Sequence, residues 1–118
     1  MRKKILVINK DENLSQGIRL NLEEIADVIA LESTEGLDST VTEKGVDYIL
    51  MDSDLLDGPG ISALYSVKQK HPKLGLVVMQ LYGEDPQSAG RNLIDIVDMF
   101  VYKPVDFNIL TQRLNLPV

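Results

Sequence analysis

Residues 5–8, 46–51 and 74–79 form three short runs that are apolar almost without interruption. A strand with one wet face alternates apolar and polar side chains. A run without that alternation needs cover on both faces, and parallel sheets flanked by helices supply it. Residues 28–31 and 99–102 add two more segments of strand character. Between these runs the spacing changes to that of helices. Leu14, Ile18, Leu22 and Ile25 recur at three and four residues, and Leu37 and Val41 lie four apart behind Ser33-Thr34, both good N-cap types. Ile61, Leu64, Tyr65 and Lys68 continue the pattern until His71-Pro72, where Pro disfavours helix in the residue before it. Asp85-Pro86 opens a further helix interrupted by Gly90, with its apolar residues late, at Leu93, Ile94 and Ile96. A last helix starts at Asp106 with Phe107, Leu110 and Leu114, and stops before Pro117. The expectation is an α/β three-layer sandwich: a parallel sheet of five strands, doubly wound, with right-handed crossovers placing helices on both faces.

Length and composition narrow the chemistry. The 118 residues suit a single domain spanning 1–118, large enough to bury roughly two-thirds of its unfolded surface without a metal or disulfide staple. Cys is absent, so disulfides, thiolate zinc sites and Cys nucleophiles are all excluded. The one His, His71, leaves no histidine metal cluster and reads as a solvated helix end. A net charge of −6 argues against nucleic acid as a direct partner, because phosphate binding needs a basic patch. Behind the basic start, Arg2-Lys3-Lys4, the apolar run is too short for a signal peptide, and no stretch is long enough to span a bilayer. A cytoplasmic location is the corresponding expectation, and the Asn13-Leu14-Ser15 sequon then carries no glycan.

In doubly wound sheets, ligands bind in the crevice at the carboxyl ends of the strands. Asn9-Lys10-Asp11-Glu12, Asp52-Ser53-Asp54, Gln80 and Lys103-Pro104 stand at those ends. Each has a bland explanation. Asp11 can cap a helix, Asp57-Gly58-Pro59-Gly60 is turn chemistry, and Lys103-Pro104 can simply end a strand. Polar groups at four strand ends together favour a site. Other motifs fail: Leu56, Asp57 and Ala63 spoil a calcium loop starting at Asp52, and Gly58-Pro59-Gly60-Ile61-Ser62-Ala63 comes too late after its strand to cradle a pyrophosphate. No Walker-type phosphate loop is present.

Lys4-Ile5-Leu6-Val7-Ile8, Val46-Asp47-Tyr48-Ile49-Leu50-Met51-Asp52 and Tyr102-Lys103-Pro104 resemble the receiver domain of bacterial two-component response regulators. The resemblance runs from Lys3 to about Leu116, with Gly60 eight residues after Asp52 and Phe100 at the place of a switching aromatic. It implies a flavodoxin-like (βα)5 topology with strand order 2-1-3-4-5 and a role in a phosphorelay rather than an enzyme's role. It places Asp52 at the phosphoacceptor position, Lys103 in the role of the neutralising Lys, and the backbone carbonyl of Asp54 among the ligands of Mg²⁺. A sensor histidine kinase or another signalling protein is the implied partner. Phe100, Tyr102 and Arg113 mark the face where members of the family meet partners or form homodimers.

Departures from that pattern are concentrated in the pocket. Asn9 and Lys10 stand where receivers carry two adjacent acids, and Gln80 stands where a Ser or Thr hydroxyl contacts the phosphoryl group. An ammonium in place of a carboxylate changes the local charge by two units, against Mg²⁺. Leu56 replaces a common Pro, and the surroundings of Gly83 point to a remodelled helix before Phe100. The expectation is a pseudo-receiver: Lys10 pairs with Asp52 in place of the cation, Mg²⁺ binds weakly at best, and the output is protein contact. A shift of register that put Lys10-Asp11 at the positions of the pair would partly restore the metal site through Asp11, but the apolar run ends cleanly at Ile8. A conventional phosphorylated receiver and a small flavodoxin-like enzyme limited to carboxylate and Lys chemistry are the alternatives.

Overall fold

The computed structural model describes residues 2–56, 58–81 and 95–116. Along the chain run β1 (Lys3–Ile8), α1 (Glu12–Leu22), β2 (Ala26–Leu31), α2 (Leu37–Lys44) and β3 (Tyr48–Asp52). A single 3-10 turn (Ser53–Leu55) leads to α3 (Gly58–Lys70), β4 (Gly75–Leu81), β5 (Met99–Lys103) and α4 (Phe107–Arg113). The five strands form one sheet in the order β2-β1-β3-β4-β5, and every pairing is parallel. The helix expected from Asp85-Pro86 falls outside the described residues. No described helix is long and apolar enough to cross a membrane.

Alternation along the strands builds two cores. Leu6, Ile8, Ile49, Met51 and Leu76 face Leu37 and Val41 of α2 and Leu64 and Val67 of α3. Ile5, Val7, Leu50, Val77 and Met79 face Ile18 and Leu22 of α1, Leu110 of α4 and Leu114 just past its end. Ile5, Leu6, Val7 and Ile8 are all fully buried, so consecutive residues of β1 fill opposite cores. Burying one such side chain contributes about 1.5–3 kcal/mol, and the buried polar residues of the central strands, Asp52 and Gln80, stand at their carboxyl ends. Gly75 opens β4 beside Tyr48. A Cβ there would fall on the Tyr48 ring, whose hydroxyl donates to the Leu114 carbonyl at 3.2 Å.

Helix ends follow local chemistry with two corrections. Asp11 caps α1, its Oδ1 accepting from the backbone N–H of Asn13 (3.0 Å) and Leu14 (3.4 Å), and Asp106 caps α4 in the same way. Ser33-Thr34 does not cap α2. That helix starts at Leu37 behind Gly36, which adopts φ +74° and supplies no side-chain hydrogen bond. Ser33 Oγ instead accepts from the Glu35 N–H, ahead of the helix. Gly58-Pro59-Gly60 forms the first turn of α3 rather than a separate turn, because Pro59 sits where a helix has no use for its missing N–H. β4 also runs further than its apolar stretch and takes in Gln80.

Candidate functional site

Asp52 closes β3 and is buried, 4% exposed. Its Oδ1 accepts from the Asp54 backbone N–H at 2.9 Å, which turns the chain into the 3-10 segment. Lys103 closes β5, two strands away, and its Nζ donates to both carboxylate oxygens, 2.9 Å to Oδ2 and 3.1 Å to Oδ1. Asp52 shares strand parity with Leu50, and Lys103 with Val101, so both side chains belong to the face covered by α1 and α4. Both ends of the pair are largely removed from water, with side-chain exposures of 17% and 6% for Lys103 and Asp52. At such a site the attraction is far less screened than on the surface.

Asn9 sits just past β1, 4% exposed, and its Oδ1 accepts from the Asp11 N–H at 3.0 Å. Lys10 follows it and is exposed. Asn9, Lys10, Asp11, Asp52, Asp54 and Lys103 surround a cavity of about 210 Å³, walled also by Leu14 and Leu55. Lys10 thus reaches the expected cavity, but the expected Lys10–Asp52 salt bridge is not formed. The cation on Asp52 is Lys103. The physical reason is that an exposed ammonium keeps its hydration, whereas the Lys103 side chain is itself largely covered and has Asp52 within reach. Asp11 also borders the cavity, as a shift of register would require, yet its Oδ1 is committed to the α1 cap and β1 ends at Ile8.

Gln80 is 3% exposed but has the opposite parity, alternating with Met79, and does not border this cavity. Its register partner on β5 is Tyr102, and its Nε2 has no hydrogen-bond partner among the described residues. Phe100, Tyr102 and Arg113 line one groove of about 310 Å³ together with Pro104, Val105 and Ile109. Tyr102 and Ile109 are 43% and 47% exposed, large apolar surfaces for residues beside a groove. Ile109 was not singled out from the sequence, although its helical position two residues past Phe107 puts it on the outer side of α4. The Lys103–Pro104 peptide bond, at the junction of cavity and groove, is cis.

A parallel sheet ordered 2-1-3-4-5, with helices on both faces and a buried carboxylate at the end of its third strand, defines a flavodoxin-like doubly wound domain. No family model matches the chain, and no curated protein matches it. Solved structures do. The N-terminal receiver domain of a two-component response regulator from Bacteroides fragilis superposes with a TM-score of 0.79 at 23% identity, covering 95% of this chain and 93% of that one. A response regulator receiver domain protein from Clostridium thermocellum gives 0.80 at 23% identity, over 96% and 91%. The BeF3-activated DrrB receiver domain gives 0.78 at 23% identity, over 98% and 96%. The chain therefore has the fold of response regulator receiver domains.

Proposed function

We propose that this chain is a single signal-transduction receiver domain of a two-component system in which Lys103, not a metal ion, neutralises Asp52, and that it signals mainly by protein contact. The observation that carries this reading is the Asp52–Lys103 pair beside a cavity whose other polar walls include Asn9 and Lys10. Mg²⁺ requires oxygen ligands in octahedral geometry, usually with one or two free carboxylates. Here the Asp52 oxygens already accept from Lys103 and the Asp54 N–H, Asn9 is neutral, and Lys10 adds a second ammonium. No three His, Cys, Asp or Glu side chains converge as metal ligands among the described residues. Of the three acidic residues that border the cavity, Asp11 caps α1 and Asp52 is held by Lys103, which leaves a donor set that does not fit Mg²⁺.

Incubation with acetyl phosphate, or with beryllofluoride, and Mg²⁺ tests the reading. The expected result by intact mass and by Mg²⁺-dependent changes in the amide spectrum is no stable modification of Asp52. Stoichiometric modification would instead establish the conventional receiver.

A kinase or another signalling protein is the proposed partner, docking on the groove between β5 and α4. Its exposed Tyr102 and Ile109, with Arg113 at the rim, have the aromatic and Arg character of interface anchors. Tyr102→Ala with Ile109→Ser is expected to weaken partner binding or self-association at least tenfold, read by analytical ultracentrifugation or partner titration, with the melting temperature nearly unchanged. Unaltered association in this double variant would remove the groove from the interface.

A further inference from the structure

A second cavity, of about 220 Å³, lies on the other side of Asn9, between α1 and the carboxyl end of β2. Its floor holds two buried polar side chains, Asn9 at 4% and Ser15 at 9% exposure. Because Asn9 Oδ1 is used by the Asp11 N–H, the amide nitrogen is left as a donor, and Nδ2 has no partner among the described residues. Ser15 Oγ has none either, although a helical Ser can usually turn its hydroxyl back to the preceding turn. Buried polar atoms are normally satisfied, so two orphans on one cavity floor point to something that completes them. The rim carries Glu12, Arg19 and Glu32. The Arg19 guanidinium forms no salt bridge with a described residue.

We infer that this cleft binds a small zwitterion, a free α-amino acid. The carboxylate would accept from Ser15 Oγ, Asn9 Nδ2 and Arg19, which offers a two-pronged donor matched to carboxylate geometry. The ammonium would lie toward Glu12 and Glu32. Two carboxylates against one guanidinium disfavour a simple anion, and a floor of donors disfavours a simple cation. A ligand with both charges a few ångströms apart answers both. The volume is below the roughly 300–1,000 Å³ range of drug-sized sites, which limits the ligand to a small molecule. Asn9 borders both cavities, but neither Asp52 nor Lys103 lines this cleft, and Ser15, Arg19, Glu12 and Glu32 have no part in the phosphorylation reading.

Calorimetric titration of the whole chain with each proteinogenic amino acid tests it, with acetate and methylamine as probes of each half. The expected result is saturable binding of one or a few amino acids, with acetate and methylamine at least tenfold weaker. Ser15→Ala should weaken that binding roughly ten- to a hundredfold by removing one hydrogen bond to a charged group. Arg19→Glu, at the rim and outside both cores, should abolish it while the chain still folds. No binding by any amino acid means that water alone completes the floor and overturns the inference. Acetate binding as tightly as the amino acid, or full binding by Arg19→Glu, overturns it as well.

Discussion

Lys103→Met should destabilise the domain by about 3 kcal/mol, and adding Asp52→Asn to the same chain should recover most of that loss. Breaking a buried ion pair by removing one partner leaves an uncompensated charge, whereas replacing both partners can be nearly neutral. Asp52 is 4% exposed, and after loss of Lys103 its remaining described donor is the Asp54 N–H. Lys10 is close enough to border the same cavity but stands in water, so it offsets only part of the loss. Met keeps most of the aliphatic volume of the Lys stem, which separates the charge effect from a packing defect. Urea unfolding followed by circular dichroism measures the change, equivalent to roughly 10 °C in Tm for a domain of this size. The decisive comparison is the double variant. If Lys103→Met costs the same in the Asp52→Asn background as in the unaltered chain, the pair contributes nothing through its charges. The interpretation of Lys103 as the resident cation then fails.

Asn9→Asp combined with Lys10→Asp should raise Mg²⁺ affinity by about a hundredfold or more and let beryllofluoride attach to Asp52. The two changes move the charge at the cavity mouth by about three units in favour of the metal. Opposite charges about 4 Å apart attract by several kcal/mol even at an effective dielectric near 20, and the exposure of position 10 reduces that without removing it. Both backbone positions already face the cavity that contains Asp52 and the Asp54 segment, so no rearrangement of the fold is needed. A carboxylate at position 9 keeps the acceptor for the Asp11 N–H and forgoes an amide nitrogen that has no partner among the described residues. It also adds a buried negative charge, so the double variant should be less stable without Mg²⁺ and recover as the metal binds. Mg²⁺ titration by calorimetry, and the rise of Tm with Mg²⁺, read the effect. If the unaltered chain binds Mg²⁺ as tightly as the double variant, Asn9 and Lys10 do not disable the pocket, and the conventional receiver is the better description. An intermediate gain from Lys10→Asp alone would assign the repulsion chiefly to the ammonium.

The strands of this protein are legible because their signal is local. β1 is apolar at four consecutive positions, and only cover on both faces tolerates that, so its place inside a sheet follows from neighbouring residues alone. The three- and four-residue spacing of Leu14, Ile18 and Leu22 likewise announces α1, and Asp11 and Asp106 announce their caps by chemistry within one turn. Segment edges were less legible. Gln80 breaks the apolar run but not the ladder, since backbone pairing with β5 continues through Leu81 whatever the side chain. Gly36, not Ser33, stands before α2, and its φ of +74° is a left-handed conformation that capping preference alone does not reveal.

The site divides along the same line. Asp52, Asn9, Lys10 and Lys103 could be read from the sequence as strand-end polar groups, and they do border one cavity. Which ammonium holds Asp52 could not. The resemblance cast Lys103 as the neutralising Lys, the missing acidic pair cast Lys10 as a stand-in cation, and it is Lys103 that pairs with Asp52. Only the tertiary structure decides it, because the pairing depends on strand parity, on the register that aligns Lys103 with Leu81, and on which ammonium gives up its water. By itself the sequence determined the layers, the parallel sheet and the polar ends of its strands, through periodicities a few residues long. The side chains that meet at those ends are set by distances between residues far apart in the chain, which no local pattern records.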